Sequence, residues 1–296
     1  MKVLLTGGRG KLGTAIVNGI IEAGHTITIA DIKDCEATYD LKKYENAQKA
    51  VEGRDVVIHL AGIPHPSSQP FARYFETNVR LSFNVLQASL KAGVKRVIYA
   101  SSSASYGTDA AFKPLYVPID EEHPFSVDMA PNENAHWQYP CSKRIVDTMM
   151  LAYGKSTPLE TVILRMGPLH KTEDYFGGMY KQNWAQKCLF AWSDPRDMAD
   201  AFIKAATMPG LKCDVFNVMG TAFPENFKPD DLDPVDWFRE WFYGGDEGAK
   251  RDADFPNTKV FFKDEWFDNR VREDGRHLSF YSSERARRVL GWEAEY

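Results

Sequence analysis

The sequence predicts an α/β fold in which helices cover both faces of a parallel sheet. Short apolar runs, such as residues 3–5 and 26–30, alternate with longer segments whose apolar side chains recur at helical spacing. A crossover helix between successive strands makes those strands parallel. The strands are also apolar along nearly their whole length, as expected where both faces of a sheet are buried. We therefore expect a doubly wound parallel sheet.

The predicted elements follow one another along the chain. Six strands are predicted at residues 3–5, 26–30, 55–60, 94–100, 161–165 and 215–218. Four helices are predicted at residues 12–23, 71–92, 139–153 and 282–290. Gly24 and Gly93 directly follow two of these helices, as glycine commonly does where a helix ends.

A change of composition in the second half predicts two domains. Residues 1–165 would form the sheet domain, to which a strand near residues 213–219 returns. Residues 166–296 would form mainly a small C-terminal substrate lobe, because residues 220–258 are rich in Pro, Asp and Gly. Such a lobe is expected over the carboxyl ends of the strands, where doubly wound sheets bind their ligands.

Composition and charge exclude several classes of function. The chain has 296 residues, a formal net charge of -5 and 44% hydrophobic residues. Nucleic-acid-binding proteins usually carry a basic excess on one face, so we expect no nucleic-acid partner. No apolar run approaches the roughly 20 residues that span a bilayer, so we expect no membrane partner. The four cysteines are scattered and form no metal-ligand pattern, which predicts no metal and a reducing, cytoplasmic setting.

A glycine-rich turn connects the first strand to the first helix. Its residues are Gly7, Gly8, Arg9, Gly10, Lys11, Leu12 and Gly13. The pattern reads GxGxxG from Gly8, or GxxGxxG from Gly7. In either reading the first glycine permits the tight turn, the middle one admits a pyrophosphate, and the third lets helix and strand pack closely. Amide groups at the start of the helix then face the negative charge. The turn predicts a Rossmann-type sheet that binds a dinucleotide.

Asp31 ends the second predicted strand, eighteen residues after Gly13. A carboxylate at this position can accept hydrogen bonds from both ribose hydroxyls of the adenosine half and would repel a ribose phosphate. We therefore predict NAD as the cofactor, with NADP less favoured. Arg9 and Lys33 are nearby cations that would weaken this preference, although Lys33 fits a solvated surface charge better.

Tyr139 and Lys143 form a YxxxK pattern on a predicted helix. Residues four apart share one helix face, so the phenol and the ammonium can point into one cleft. An unperturbed tyrosine has a pKa near ~10 and is a poor base at neutral pH. We expect the Lys143 ammonium, helped by the positive charge of an oxidised nicotinamide, to lower the pKa of Tyr139 and make it a general acid/base.

These motifs together resemble the extended short-chain dehydrogenase/reductase family, also called the NAD-dependent epimerase/dehydratase family. The resemblance covers about the first two-thirds of the chain, in the family's order. Its pieces are Thr6-Gly7-xx-Gly10-xx-Gly13, Asp31, Asp40-Leu41, His59-Leu60-Ala61-Gly62, Asn78, the serine-rich residues 101–107, Tyr139-xxx-Lys143, residues 164–168 and residues 196–199.

The resemblance implies roles for individual residues. Tyr139 would be the acid/base, and Lys143 would also bind the nicotinamide ribose. Ser103 aligns with the family's substrate-binding hydroxyl, and Ser102 is the alternative. For Asn78, a polar residue on a long helix without a ligand is an equal alternative to a cofactor contact. The remaining dinucleotide contacts implied are Asp40, Leu41, Leu60, Ala61, Gly62, Met166 and Pro168. A homodimer through the helices at residues 71–92 and 139–153 is also implied.

Departures from the family's patterns narrow the reaction. Dehydratases of the family carry an Asp-Glu pair where this chain has Ala104 and Ser105, so water elimination is not expected. Nucleotide-sugar epimerases carry an asparagine shortly after the arginine of the Leu-Arg strand, followed by a long insertion. This chain lacks that asparagine, and only thirty residues (166–195) lie between Arg165 and Arg196. The chain is therefore more similar to the compact, uronate-dehydrogenase-like branch.

The expected activity is an NAD-dependent transfer of hydride between a sugar or sugar-acid carbinol and nicotinamide. Ser103 and Tyr139 would hold the reacting oxygen while Lys143 tunes the tyrosine. Arg196 and Arg270 are candidates for binding the substrate, because the arginine fork suits carboxylates. An NAD-dependent sugar or nucleotide-sugar epimerase that retains its NAD is one alternative. A non-catalytic dinucleotide sensor is the other.

Overall fold

Seven parallel strands form the central sheet of the protein. The computed structural model describes residues 1–32, 37–107, 114, 116–125, 137–171, 191–220, 222–223, 261–262, 277–278 and 280–295. The sheet strands are β1 (Lys2–Thr6), β2 (Thr26–Asp31), β3 (Ala37–Thr38), β4 (Val56–His59), β5 (Arg96–Ser102), β7 (Glu160–Met166) and β8 (Cys213–Val218). Two-residue strands outside this sheet are β6 (Tyr116–Val117), β9 (Ala222–Phe223), β10 (Phe261–Phe262) and β11 (His277–Leu278).

Helices connect most of these strands. The described α-helices are α1 (Lys11–Glu22), α2 (Tyr44–Val51), α3 (Phe71–Tyr74), α4 (Leu81–Ala92), α5 (Gln138–Ser156), α6 (Pro195–Thr207) and α7 (Glu284–Leu290). A π-helical turn, Phe75–Arg80, joins α3 to α4 without a break. A 3-10 turn, Ser103–Tyr106, follows β5 directly.

The six predicted strands all lie in the sheet, whose order is β3-β2-β1-β4-β5-β7-β8. Every neighbouring pair is parallel. The predicted helix at residues 71–92 is one helical run, interrupted only by its π-helical turn. Both Gly24 and Gly93 adopt positive φ just after a helix, at 77° and 72°. Neither α2 nor α6 was predicted, and α2 has only eight residues, too few to give a clear apolar period.

Two hydrophobic cores, one on each face, hold the helices against the sheet. On one face α1 and α6 pack through Ile16, Ile20 and Phe202, and Trp292 completes this layer. The other face is covered by α2, α4 and α5. Helices on both faces of a parallel sheet confirm the predicted doubly wound architecture.

The strand order reverses direction at β1, which places a crevice between β1 and β4. From β1 the chain passes to β2 and β3 on one side, and then returns to β4 and β5 on the other. The loops that leave the carboxyl ends of β1 and β4 therefore diverge, and ligands of open α/β sheets bind in such a crevice. The glycine-rich turn follows β1 and residues 60–62 follow β4, so both line this edge.

Much of the described chain beyond residue 165 belongs to the sheet layer. Strand β8 pairs with β7, as the predicted return of residues 213–219 requires. The Trp292 indole N–H donates to the Asp197 carbonyl at 2.9 Å, which ties the C-terminal segment to α6. The division at residue 165 stays a prediction, since most of residues 221–279 lie outside the described residues.

Among the described helices, none has the length and apolar character needed to cross a bilayer.

Arg96 anchors the C-terminal end of α6 to the sheet. It is buried at the start of β5 and forms an ion pair with Glu160 at 2.7 Å. Its guanidinium also donates to the carbonyls of Ala205 at 2.8 Å and Met208 at 2.9 Å. The last carbonyls of a helix have no partner within the helix, so a buried cation there satisfies them and matches the helix dipole.

We expect Arg96→Met to lower the free energy of unfolding by about 3 kcal/mol, because it leaves buried carbonyls and the Glu160 carboxylate unpaired. Arg80→Met is the matched control, since Arg80 pairs with Glu76 at 2.9 Å across an exposed helix surface. The control substitution should lower the free energy of unfolding by at most about 0.5 kcal/mol. Urea unfolding measures both, and equal losses in the two variants would contradict the anchoring role of Arg96.

Candidate active site

The glycine-rich turn after β1 leaves no space for side chains at two of its positions. Gly7 has a φ of 71°, and a Cβ there would lie 2.7 Å from the Ala61 backbone nitrogen. A Cβ at Gly13 would overlap the Gly8 carbonyl. At Gly10, by contrast, an added Cβ would meet only the Gly7 carbonyl, at 3.5 Å. Packing within the chain explains Gly7 and Gly13, whereas Gly10 faces open space.

That open space fits the phosphates of a dinucleotide. Gly10 is the N-cap of α1 and supplies no side chain to bond the free amide groups of the first helical turn. No acidic residue occupies that turn, so its positive end can attract an anion. Arg9, Lys11 and Leu12 flank Gly10 in this turn, and their contacts with a dinucleotide stay predictions.

Asp31 lies beside the glycine-rich turn at the end of β2. Its carboxylate accepts a hydrogen bond from the Arg9 backbone N–H at 3.1 Å and another from the Ile32 N–H at 2.7 Å. The acidic group is therefore held at the edge of the phosphate cradle, where the family's ribose contact was expected. Lys33 lies outside the described residues.

Four of the predicted dinucleotide contacts occupy two positions near this cradle. Ala61 donates its N–H to the Thr6 hydroxyl at 3.3 Å, and Leu60 donates to the Thr6 carbonyl at 3.0 Å. Both hold the loop after β4 against the end of β1. Asp40 and Leu41 lie before α2, where the Leu41 carbonyl accepts from the Asn84 amide at 3.1 Å. These contacts fix the backbone, and the dinucleotide contacts of the four residues stay predictions.

Tyr139 and Lys143 lie on one face of α5, as their spacing predicts. Both are buried, with 5% and 7% of their surfaces exposed. The Lys143 ammonium donates to the Ala100 carbonyl at 2.7 Å and lies 5.8 Å from the centre of the Tyr139 ring. It also lies 4.8 Å from the centre of the Tyr99 ring. A desolvated ammonium beside two aromatic rings is a stabilising cation–π arrangement.

The structure places Ser102, and not Ser103, beside the phenol. The Ser102 hydroxyl accepts from the Ala104 N–H at 3.1 Å, and its interaction with the Tyr139 phenol lowers the pKa of that phenol. Ser102 ends β5, whereas Ser103 begins the 3-10 turn and is buried there. The effect of Ser102 on the phenol favours the alternative, and which of the two hydroxyls binds the substrate stays a prediction.

The effect of Lys143 on the phenol, expected together with an oxidised nicotinamide, stays a prediction for the bound state. Burial raises the pKa of Tyr139 to about 12, and the hydrogen bond from Ser102 opposes this rise. Burial likewise lowers the pKa of Lys143 to about 8, against the attraction of the Asp147 carboxylate. Desolvation outweighs the effect of Ser102 on Tyr139 and the charge of Asp147 on Lys143. In the protein without a ligand, the phenol is therefore protonated at neutral pH.

A buried ion pair, not predicted from the sequence, continues the same face of α5. Asp147 follows Lys143 by four residues and pairs with Arg165 on β7 at 3.0 Å. The Arg165 guanidinium also donates to the Tyr106 hydroxyl at 2.7 Å and lies 4.5 Å from the centre of that ring. The repeat Tyr139, Lys143, Asp147 was visible in the sequence, but its partner on another strand was not.

Asn78 contacts other protein groups with both ends of its amide. Its nitrogen donates to the Ser142 hydroxyl at 2.9 Å, and its oxygen accepts from the Ile63 N–H at 2.7 Å. Gly62 has a φ of 153°, and a Cβ there would lie 2.9 Å from that amide oxygen. The contacts of Asn78 support its role as a link between elements, while direct contact with a dinucleotide stays a prediction.

The other predicted residues lie at or near the end of β7. Met166 ends that strand, and the Pro168 carbonyl accepts from the Ser193 N–H at 2.9 Å. Arg196 binds both oxygens of the buried Asp194 carboxylate, at 2.8 and 2.7 Å. This bidentate pairing sets the geometry of the guanidinium, and substrate binding by Arg196 stays a prediction. Arg270 lies outside the described residues.

The fold and the site define a dinucleotide-binding protein with a half-buried serine and a buried tyrosine and lysine at the carboxyl edge of its sheet. Residues 3–170, more than half of the chain, match the NAD dependent epimerase/dehydratase family. The chain belongs to this family, and it is an NAD-dependent enzyme of the short-chain dehydrogenase/reductase kind.

Its curated relatives act on sugars or nucleotide sugars. A UDP-glucose 4-epimerase from Azospirillum brasilense is 29% identical over 55% of this chain, which spans 48% of that enzyme. An L-arabinose 1-dehydrogenase (NAD(P)(+)) from Haloferax volcanii is 25% identical over 70% of this chain and 84% of its own length. A uronate dehydrogenase from Pseudomonas syringae pv. tomato is 27% identical over 56% of this chain and 58% of its own length. This chain thus spans only about half of some relatives.

Solved structures share the fold at lower identity. A short-chain dehydrogenase/reductase superfamily protein from Agrobacterium tumefaciens with bound NAD has a TM-score of 0.67 and 22% identity, over 100% of this chain and 93% of that one. The uronate dehydrogenase from Agrobacterium tumefaciens has a TM-score of 0.58 and 19% identity, over 74% and 76% of the two chains.

The burial of Lys143 should make stability depend on pH in a defined window. Between about pH 8 and its usual pKa of 10.5, the unfolded chain binds the Lys143 proton while the folded protein has released it. The free energy of unfolding therefore rises with pH through this window, by about 3 kcal/mol, and the cost of burial is fully present below it. Lys143→Met should lose this rise, whereas Lys155→Met, at an exposed position of the same helix, should keep it. Urea unfolding at a series of pH values tests this, and parallel curves for all three proteins would contradict it.

Proposed function

We propose that the protein is an NAD-dependent oxidoreductase that transfers hydride between a carbinol carbon of a sugar or sugar acid and nicotinamide. The observation that carries the proposal is the cluster of the half-buried Ser102 with the buried Tyr139 and Lys143 at the carboxyl edge of the sheet. When bound, the nicotinamide ring accepts or supplies the hydride. The side chains of the cluster hold the reacting oxygen and move its proton.

The hydroxyls of Ser102 and Tyr139 are the two groups that would hold the substrate oxygen. In the direction of carbonyl reduction, Tyr139 donates the proton of its hydroxyl to that oxygen. A phenol with a pKa of about 12 carries this proton at neutral pH, so it is ready to act as the acid. In the direction of oxidation, Tyr139 accepts the proton of the carbinol hydroxyl. Its phenolate must form first, and the Lys143 ammonium is the cation placed to stabilise it.

Two observations favour a dehydrogenase over an epimerase. The arabinose dehydrogenase matches over 84% of its length, whereas the Azospirillum epimerase matches over only 48%. The segment between Arg165 and Arg196 is short, which leaves less chain for a nucleotide-diphosphate site. A homodimer through the outer surfaces of α4 and α5 accompanies this proposal. Phe83 and Trp137, both more than 40% exposed, are apolar groups that such an interface would cover.

Substitution of Tyr139 should separate the proposed chemistry from its rivals. Tyr139→Phe should lower kcat by about 10²–10⁴-fold with added NAD and a panel of sugars and uronates, because it removes the proton donor and acceptor. Tyr153→Phe is the control on the same helix, where that hydroxyl donates to Gln87 at 2.7 Å. Ser102→Ala should lower kcat more than Ser103→Ala. The production of NADH is followed by its absorbance.

Two outcomes would replace the dehydrogenase proposal. Tightly bound NAD that co-purifies, with no net NADH from any substrate, would favour the epimerase. Full turnover by Tyr139→Phe would remove the assigned acid/base.

Asp31 should determine the choice between the two dinucleotides. We expect NAD to bind more tightly than NADP, and Asp31→Ala to reduce that preference at least about tenfold, since the carboxylate repels a ribose phosphate. Asp55→Ala is the control, because Asp55 accepts from the Lys2 N–H at 2.6 Å, at the opposite end of the strands. Competitive titration measures both affinities. A native preference for NADP would contradict the role given to Asp31.

A further inference from the structure

We propose that a directed chain of hydrogen bonds through His59 couples the dinucleotide-binding turn to the catalytic tyrosine, and that its members are positioning residues. The proposal rests on the proposed function, since it concerns the same site. The chain runs through five side chains, those of Thr6, His59, Ser82, Asn78 and Ser142. It begins at the loop that contacts Gly7 and ends at the backbone carbonyl of Tyr139.

The direction of the first half follows from the single proton of Ser82. The Ser82 hydroxyl donates to the Asn78 carbonyl at 2.6 Å, so it must accept from His59 Nε2, which lies 2.9 Å away. Nε2 therefore carries the imidazole proton and Nδ1 is the acceptor. Thr6 lies 2.7 Å from Nδ1 and donates to it, while its oxygen accepts from the Ala61 N–H at 3.3 Å. Every donor in this half has one acceptor.

His59 stays neutral across the physiological range. It is completely buried, and burial together with the nearby Lys143 charge lowers its pKa to about 3. The groups facing it are the Thr6 and Ser82 hydroxyls and the Tyr99 ring, whose centre lies 5.7 Å from that of the imidazole. A neutral ring with one fixed tautomer can donate on one side and accept on the other.

The second half passes through the side chain of Asn78. Its amide nitrogen donates to the Ser142 hydroxyl at 2.9 Å, and Ser142 donates to the Tyr139 carbonyl at 2.8 Å. The Ile63 N–H fixes the amide oxygen at 2.7 Å and thereby fixes which end of the amide faces Ser142. Asn78 lies within the π-helical turn between α3 and α4, a geometry that is often found at functional sites.

The two halves meet at Asn78. Its backbone carbonyl accepts from Ser82, and its side-chain amide donates to Ser142. A displacement of the loop at Ala61 is therefore transmitted to the first turn of α5, where Tyr139 lies. Each hydrogen bond of this buried chain is either formed or broken, because an unpaired polar group costs free energy in a low-dielectric interior. The chain sets the distance between the dinucleotide cradle and the phenol.

The tautomer of His59 can be measured without turnover. In protein labelled with 15N at its seven histidines, His59 should show a proton on Nε2 and an unprotonated Nδ1, unchanged between about pH 6 and 8. The signal is assigned to His59 by its absence from the spectrum of the His59→Gln variant. A proton on Nδ1, or a signal that titrates in this range, would overturn the proposal whether or not the protein is an enzyme.

A double-mutant cycle tests the coupling. Thr6→Val and Ser142→Ala should each weaken NAD binding and lower kcat. In the double variant, the combined loss of NAD affinity and of kcat should be at least about threefold smaller than the product of the two single losses. The control pairs Thr6→Val with Ser89→Ala, because Ser89 is buried on α4 and its hydroxyl has no partner among the described residues. In this control, the effects of the two substitutions on NAD binding and on kcat should multiply.

The readouts separate failure of the coupling from failure of the proposed function. Calorimetric binding of NAD and the unfolding midpoint of every protein in the two cycles are both measured without substrate. Independent effects of Thr6→Val and Ser142→Ala in both readouts would overturn the coupling. An absence of NAD binding would overturn the proposed function, while the coupling would still be judged from the unfolding midpoints.

Discussion

The close approach of Gly7 to Ala61 determines how the carboxyl edge of the sheet is built. With no side chain between them, the turn after β1 and the loop after β4 touch through their backbones. The adjacent pairing of β1 and β4 brings them to this distance, and their divergence beyond it opens the crevice. The dinucleotide cradle, the Asp31 carboxylate and the Thr6 end of the hydrogen-bond chain all take their positions from this contact.

Burial, more than charge, sets the chemistry of the catalytic cluster. Tyr139 and Lys143 each have a pKa displaced toward the neutral form, because both have left water without a full counter-charge. The carboxylate of Asp147 attracts Lys143, but it already pairs with Arg165. Such a cluster lowers the stability of the protein alone, and active sites commonly carry this kind of cost. A ligand that brings positive charge to the crevice would favour the phenolate.

Elements with a strong local signal could be predicted from the sequence, and elements that depend on tertiary context could not. The six strands were visible because burial on both faces makes them continuously apolar. Helix α2 could not be seen, since eight residues give too short a period and its stability comes from packing against the sheet. The glycine-rich turn was clear because two of its positions admit no other residue.

Within the site, the sequence indicated the residues but not their environment. The choice between Ser102 and Ser103 depends on where β5 ends, and element boundaries are the least certain part of a sequence-based prediction. The pKa of Tyr139 depends on its burial, which a YxxxK pattern does not contain. The pairing of Asp147 with Arg165 joins positions on different elements, and no local pattern relates them.

The part of the chain that matches the family contains the residues to which we assign the chemistry. Ser102, Tyr139, Lys143 and the whole His59 chain fall within residues 3–170. Relatives that align with this part include an epimerase, two dehydrogenases and a decarboxylase, so its residues alone do not decide the reaction. The reaction and the substrate must then depend on how the remaining chain positions a sugar against the phenol.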